Sequence, residues 1–112
     1  MIIKTAKLEG TALDWAVARI YGAPDELATK QVMDGYSLSA NWSVGGPLIE
    51  QYKAEFRVRG DFYECRIEMW DDEGIGYDEI KTTGADHLTA AMRAIVAAKL
   101  GDTVDVPEDL CQ

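Results

Sequence analysis

Between residues 62 and 70 apolar and charged side chains alternate. Tyr63, Cys65, Ile67 and Met69 fall on one side of an extended chain, with Glu64, Arg66 and Glu68 on the other. A period of two marks a strand with one buried face. Phe56 and Val58 continue the pattern upstream, and Gly60-Asp61 between the two runs is a two-residue turn. Beyond Asp71-Asp72-Glu73-Gly74, the run from Ile75 to Thr82 predicts a third strand, with Gly76 marking a bulge. Ile2-Ile3-Lys4-Thr5 predicts a short first strand. The tail Val104-Asp105-Val106-Pro107 is extended, because proline holds its predecessor away from helix.

Elsewhere the period lengthens. Leu13, Val17 and Ile20 recur at helical spacing and predict a helix over 11–21. Thr11 and Asp14 stand in a capping-box relation, and Gly22-Ala23-Pro24 stops the helix. Trp15 lies about 200° from Leu13 around the helix, so it needs cover from elsewhere. Leu88, Met92, Ile95 and Val96 stripe a second helix over 86–100, with Asp86 as N-cap and Gly101 at its end. Its five other small positions, Ala90, Ala91, Ala94, Ala97 and Ala98, allow close packing on a sheet.

Two segments resist this reading. Residues 24–35 suit a short helix or a turn, since Leu27, Val32 and Met33 make a poor stripe. Residues 36–50, YSLSANWSVGGPLIE, are too irregular for a strand and too rich in glycine for a helix interior. They predict a shaped loop in which Gly45 and Gly46 take positive φ and Pro47 sets the direction of exit. The whole is a two-layer α+β domain. An antiparallel sheet of three or four strands packs on two main helices, 11–21 and 86–100, and residues 1–112 form a single domain.

Composition narrows the classes. Twenty acidic residues against eleven basic give a net charge of −9, which disfavours contact with phosphate backbones. A local strip of Lys53, Arg57 and Arg59 is the exception. The excess acid mainly favours solubility, and a surface imitating phosphates is the sharper but less favoured reading. No run reaches the ~20 apolar residues a membrane span requires, and the N-terminus lacks a leader's apolar region. The expected location is the cytoplasm. Cys65 and Cys111, without a CxxC or a histidine pair, predict neither a disulfide framework nor a zinc site.

Three stretches in order, LEGTALDWAVA (8–18), YSLSANWSVGGPLIE (36–50) and HLTAAMRAIVAAKLGDTVDVPEDL (87–110), resemble the NinX-like proteins of lambdoid phages and prophages. The likeness leaves residues 19–35 and 51–83 outside it. It implies a small accessory protein made in the cytoplasm of an infected bacterium, and it implies no particular reaction.

The reactive side chains point the same way. His87 beside Asp86 could act as a general base, but a solvated residue in a first helical turn is the plainer reading. Cys65 belongs to a core rather than to a nucleophile. The run from Asp71 to Glu79 fails as a calcium loop, because Ile75 stands where an oxygen belongs. Gly45-Gly46-Pro47 lacks the context of a nucleotide loop, and Glu50 repels anions. No catalytic residue, metal site or cofactor is expected. The leading expectation is a non-enzymatic phage protein that binds a host or phage protein. The alternative is a binder of a small anionic, nucleotide-like molecule, sequestered in anti-defence. The candidate site is a groove in which Trp42 approaches Trp15, Gly45 and Gly46 shape the floor, and Tyr36, Asn41 and Glu50 form the edge.

Overall fold

The computed structural model describes residues 1–70 and 77–110. Its centre is the alternating hairpin. Strand β2 (Glu55–Arg59) runs antiparallel to β3 (Phe62–Trp70), pairing Phe56 with Cys65 and Arg57 with Glu64 across a turn where Gly60 takes φ +68°. Strand β4 (Tyr77–Gly84) returns along β3 and sets Thr82 beside Cys65 and Ile80 beside Ile67. Cys65 and Ile67 are fully buried, as their alternation predicts. The bulge expected at Gly76 lies outside the described residues.

The cover is a helix, His87–Leu100 (numbered α4 in chain order), whose Met92, Ile95 and Val96 are also fully buried in the same core. Asp86 caps it, its carboxylate accepting from the Thr89 amide at 2.7 Å. The strand is tied to the helix twice. The buried Thr82 hydroxyl donates to the Ala90 carbonyl at 2.7 Å. Gly84 passes so near the helix start that a Cβ there would lie 2.5 Å from the Ala90 nitrogen. Helix and sheet thus share one closely fitted face.

The sequence expectation of one sheet needs amending. Strand β1 (Ile2–Lys4) pairs with β5 (Thr103–Asp105), not with the hairpin, and makes a separate two-stranded ribbon with Ile3 opposite Val104. The first helix, α1 (Gly10–Ile20), lies where expected, but the capping box does not form. Glu9 is the N-cap, the Thr11 hydroxyl donates to the Leu110 carbonyl at 2.8 Å, and Asp14 turns to Ser39. The ambiguous segment is a helix, α2 (Asp25–Met33). Its buried stripe is only Ala28 and Val32, while Leu27 and Met33 point outward, which explains the poor periodicity.

The largest correction concerns 36–50. After a short 3-10 turn, residues Trp42–Tyr52 form helix α3, with both glycines and the proline inside. Neither glycine has positive φ. Packing, not loop conformation, accounts for Gly45: a Cβ there would sit 2.5 Å from Leu88 Cδ2 and 3.1 Å from Met92 Cε. The missing side chain lets α3 lie against α4. Pro47 removes one amide that would bond to Ser43 four residues back. Both residues are exposed, so water can satisfy the freed carbonyl. Lys53 closes the helix in the left-handed region at φ 52°.

Candidate binding groove

The residues expected to form one groove are dispersed. Trp15 is 3% exposed, and α2 covers it: its indole N–H donates to the Thr29 hydroxyl at 3.1 Å, and the Arg19 guanidinium stands 5.8 Å from the ring centre. Trp42 is 58% exposed, and among the described residues the two indoles make no ring contact. The expected pairing of the tryptophans is therefore replaced by a pairing of Trp15 with α2. Gly45 is a packing position. Gly46 is half-buried with open space before it. Asn41 caps α3, its side-chain oxygen accepting from the Ser43 amide at 2.8 Å. Tyr36 and Glu50 are exposed. Trp42 borders a shallow depression with Asp86, Leu88 and Thr89.

A larger cavity opens a few residues away. Beyond the C-cap of α1, Tyr21, the chain turns at Gly22, φ +90°, and Pro24 is the N-cap of α2, so the two helices fold back beside each other. The first turn of α3 closes the third side, and the Tyr21 hydroxyl donates to the Val44 carbonyl at 2.7 Å. Between them lies an open groove of about 510 Å³. Ala18, Leu38 and Val44 line it, with Leu27 and Gln31 contributed by α2. No charged residue lines it. Residues 21–42 supply half of the ten exposed large apolar side chains among the described residues: Tyr21, Leu27, Met33, Tyr36 and Trp42. Nearby charges are already paired, Arg19 with Asp25 at 3.0 Å and Lys30 with Asp34 at 2.8 Å. The hydrogen bond to Asp34 holds the Lys30 ammonium above its ordinary pKa.

The family model for NinX of bacteriophage P22 matches residues 4–99. The chain belongs to that family. The match takes in residues 19–35 and 51–83, including α2 and the hairpin, as well as 8–18, 36–50 and the first part, 87–99, of the third stretch that carries the resemblance. No curated protein matches the chain significantly. Among the described residues no helix is long and apolar enough to cross a membrane.

In this NinX-family fold the candidate reactive groups are engaged structurally. His87 is half-buried, its ring 4.0 Å from that of Tyr63 and 5.1 Å from that of Phe56, while Asp86 is occupied as a cap. Cys65 is fully buried, and burial pushes its thiol pKa up to about 12. Such a thiol is core, not nucleophile. The buried Asp14 accepts from the Ser39 amide at 2.9 Å and also from the Ser39 hydroxyl. Among the described residues no group of three or more His, Cys, Asp and Glu could hold a metal ion. Most of the acidic run, residues 71–76, lies outside the described residues.

The basic strip is not a cationic patch. Arg57 and Arg59 face Glu64, the latter at 3.5 Å, and Glu55 interrupts them. On the same sheet face Arg66 bonds Glu55 and Glu79, each at 2.7 Å, and also Glu68. Hydrogen bonds to Glu79 and Glu55 raise the guanidinium pKa. The same contact, aided by Lys81, lowers that of Glu79.

Proposed function

We propose that this NinX-family protein is a non-enzymatic phage accessory protein, made in the bacterial cytoplasm, that acts by binding a host or phage protein. An apolar helix or loop of the partner would seat in the groove between α1, α2 and α3. One observation carries the reading: the groove is ligand-sized, within the usual ~300–1,000 Å³ of binding sites, yet lined without a single charge. Apolar side chains left exposed around such a cleft favour burial against a partner's apolar surface. The nucleotide alternative is less well supported. A phosphate would meet no Lys, Arg or His in the lining, and the adjacent N-terminus of α2 carries Asp25 and Glu26. Those carboxylates already answer the helix dipole.

The test compares wild type with Leu27→Glu as baits in infected cells, with co-purified proteins quantified by mass spectrometry. Leu27 is 45% exposed, so the melting temperature should stay nearly constant, as for surface substitutions within ~0.5 kcal/mol. A protein recovered by wild type and lost by Leu27→Glu, then shown to bind the purified pair in the same order, bears the reading out. Equal recovery by both baits overturns it.

A further inference from the structure

Among the described residues β2 hydrogen-bonds to β3 alone, which leaves one edge of the three-stranded sheet open. A two-residue turn is closed by a hydrogen-bonded pair, here Arg59 and Phe62. Alternate residues therefore differ in direction: Glu55, Arg57 and Arg59 turn their amides and carbonyls to β3, and Phe56 and Val58 turn theirs outward. An open edge is a template for another strand. Val58 is notable because it lies on the face that α4 buries elsewhere, yet it is 65% exposed. The helix does not reach it.

We infer that this edge pairs with β2 of a second copy of the chain, antiparallel about a two-fold axis at Arg57, to make a continuous six-stranded sheet. In that register Phe56 and Val58 of one copy face Val58 and Phe56 of the other, exchanging backbone hydrogen bonds from the groups directed outward. The exposed Val58 side chain gains a cover. Glu55 meets Arg59 of the second copy, twice by symmetry.

Charge favours this occupant. Glu55 belongs to a cluster in which three carboxylates, Glu55, Glu68 and Glu79, share two cations, Arg66 and Lys81. The arithmetic, minus three plus two, leaves one negative charge at that end of the face, while Arg57 and Arg59 share the single Glu64 and leave one positive charge at the other, so antiparallel pairing brings the two ends together. The two Arg57 side chains meet at the axis, each with Glu64 as its neighbour on β3. The sequence of β2 is in this sense complementary to itself reversed.

Analytical ultracentrifugation across a concentration series tests the assignment, with circular dichroism as the check on folding. Wild type should dimerise reversibly. Val58→Pro deletes an outward amide without touching the bond to β3, and should leave a folded monomer. Should that variant lose its native spectrum, Val58→Lys replaces it, since it keeps the backbone and charges the covered position. Glu55→Arg and Arg59→Glu should each raise the dissociation constant by roughly tenfold or more, because both cross-strand pairs fail together. The double swap should recover the dimer. A wild-type monomer at all concentrations, or a dimer indifferent to both Val58 variants, overturns the interface. A double swap that stays monomeric overturns the register.

Discussion

Gly45 and Gly46 are neighbours in one helix, and the structure gives them opposite responses to the same change. In a helix interior each forgoes ~0.5–1 kcal/mol relative to alanine. At Gly46 a new Cβ meets nothing within 4 Å, so Gly46→Ala should realise that gain. At Gly45 the same gain is opposed by a clash. The new Cβ would lie 2.5 Å from Leu88 Cδ2 and 3.1 Å from Met92 Cε, against ~3.5–4.0 Å for ordinary carbon contact. Leu88 and Met92 are 5% and 0% exposed, so within a filled core Leu88 Cδ2 must retreat about 1 Å and Met92 Cε about half that. Overpacking of this kind costs ~1–3 kcal/mol. The propensity gain is common to both variants and cancels in their difference. Gly46→Ala should therefore exceed Gly45→Ala in stability by about 1–3 kcal/mol, with wild type between them or level with the lower. Urea unfolding of the three proteins with a shared m-value measures the gap. Equal gains in both variants would refute the close approach of α3 to α4, and with it the account of why glycine stands at 45.

Ile67→Ala should cost ~2–5 kcal/mol in the same assay, because it opens a cavity at a fully buried position; a loss below ~0.5 kcal/mol would contradict the packing. Asp14→Ala removes the acceptor of both the Ser39 amide and hydroxyl, and should destabilise by ~1–3 kcal/mol for each donor left unsatisfied in the interior. Cys65 predicts an alkaline loss of stability. Its folded pKa, about 12, exceeds the ordinary 9.0, so the unfolded thiol gives up its proton first, and stability should fall by about 1 kcal/mol from pH 9 to 10 and go on falling towards pH 12. Cys65→Ala should lack that component, and an identical pH profile would sink the explanation. Duplex DNA should show only weak, salt-sensitive association, since Arg57 and Arg59 share Glu64 in a chain of charge −9. Submicromolar binding at ~150 mM salt in a gel-shift titration would contradict this.

The parts of the fold legible in the sequence are those that announce themselves within one element. Leu88, Met92, Ile95 and Val96 recur on one helical face and are buried there, and Cys65 and Ile67 alternate into the core. Asp86 is a cap by type and position, and acts as one. What escaped depends on partners distant in the chain. The first strand and the extended tail are legible, but not that Ile3 lies opposite Val104 in a ribbon of their own, a relation with no local trace. Helix α3 contradicts its own propensities, with two glycines and a proline inside. It becomes intelligible only when Leu88 is in place beside Gly45. Tertiary packing there overrides a local preference of roughly 5 kcal/mol, summed over two glycines and a proline.

The expected groove around Trp15 and Trp42 does not assemble for a related reason. Hydroxyls and amides gathered between Tyr36 and Asn41 suggest recognition of a ligand, since polar groups in a loop commonly serve that end. In the folded chain the chain itself consumes several of them. Asn41 is spent on the amide of Ser43, and Ser39 on the carboxylate of Asp14, joining α1 to the turn before α3. The groove beside them is mainly apolar, with Gln31 and Ser43 as polar exceptions, and its apolar part is assembled from single residues of separate elements: Ala18 from α1, Leu27 from α2, Leu38 from the turn and Val44 from α3. None carries a motif, because an aliphatic side chain looks the same whether it fills a core or borders a groove. The one local sign was negative. Leu27 and Met33 fell off any stripe that α2 could bury, and the structure leaves both in solvent at 45% and 69% exposure. An apolar residue that fits no internal face leaves hydrophobic surface in water, and burial against another molecule, as the proposed groove would provide, is one way to remove it.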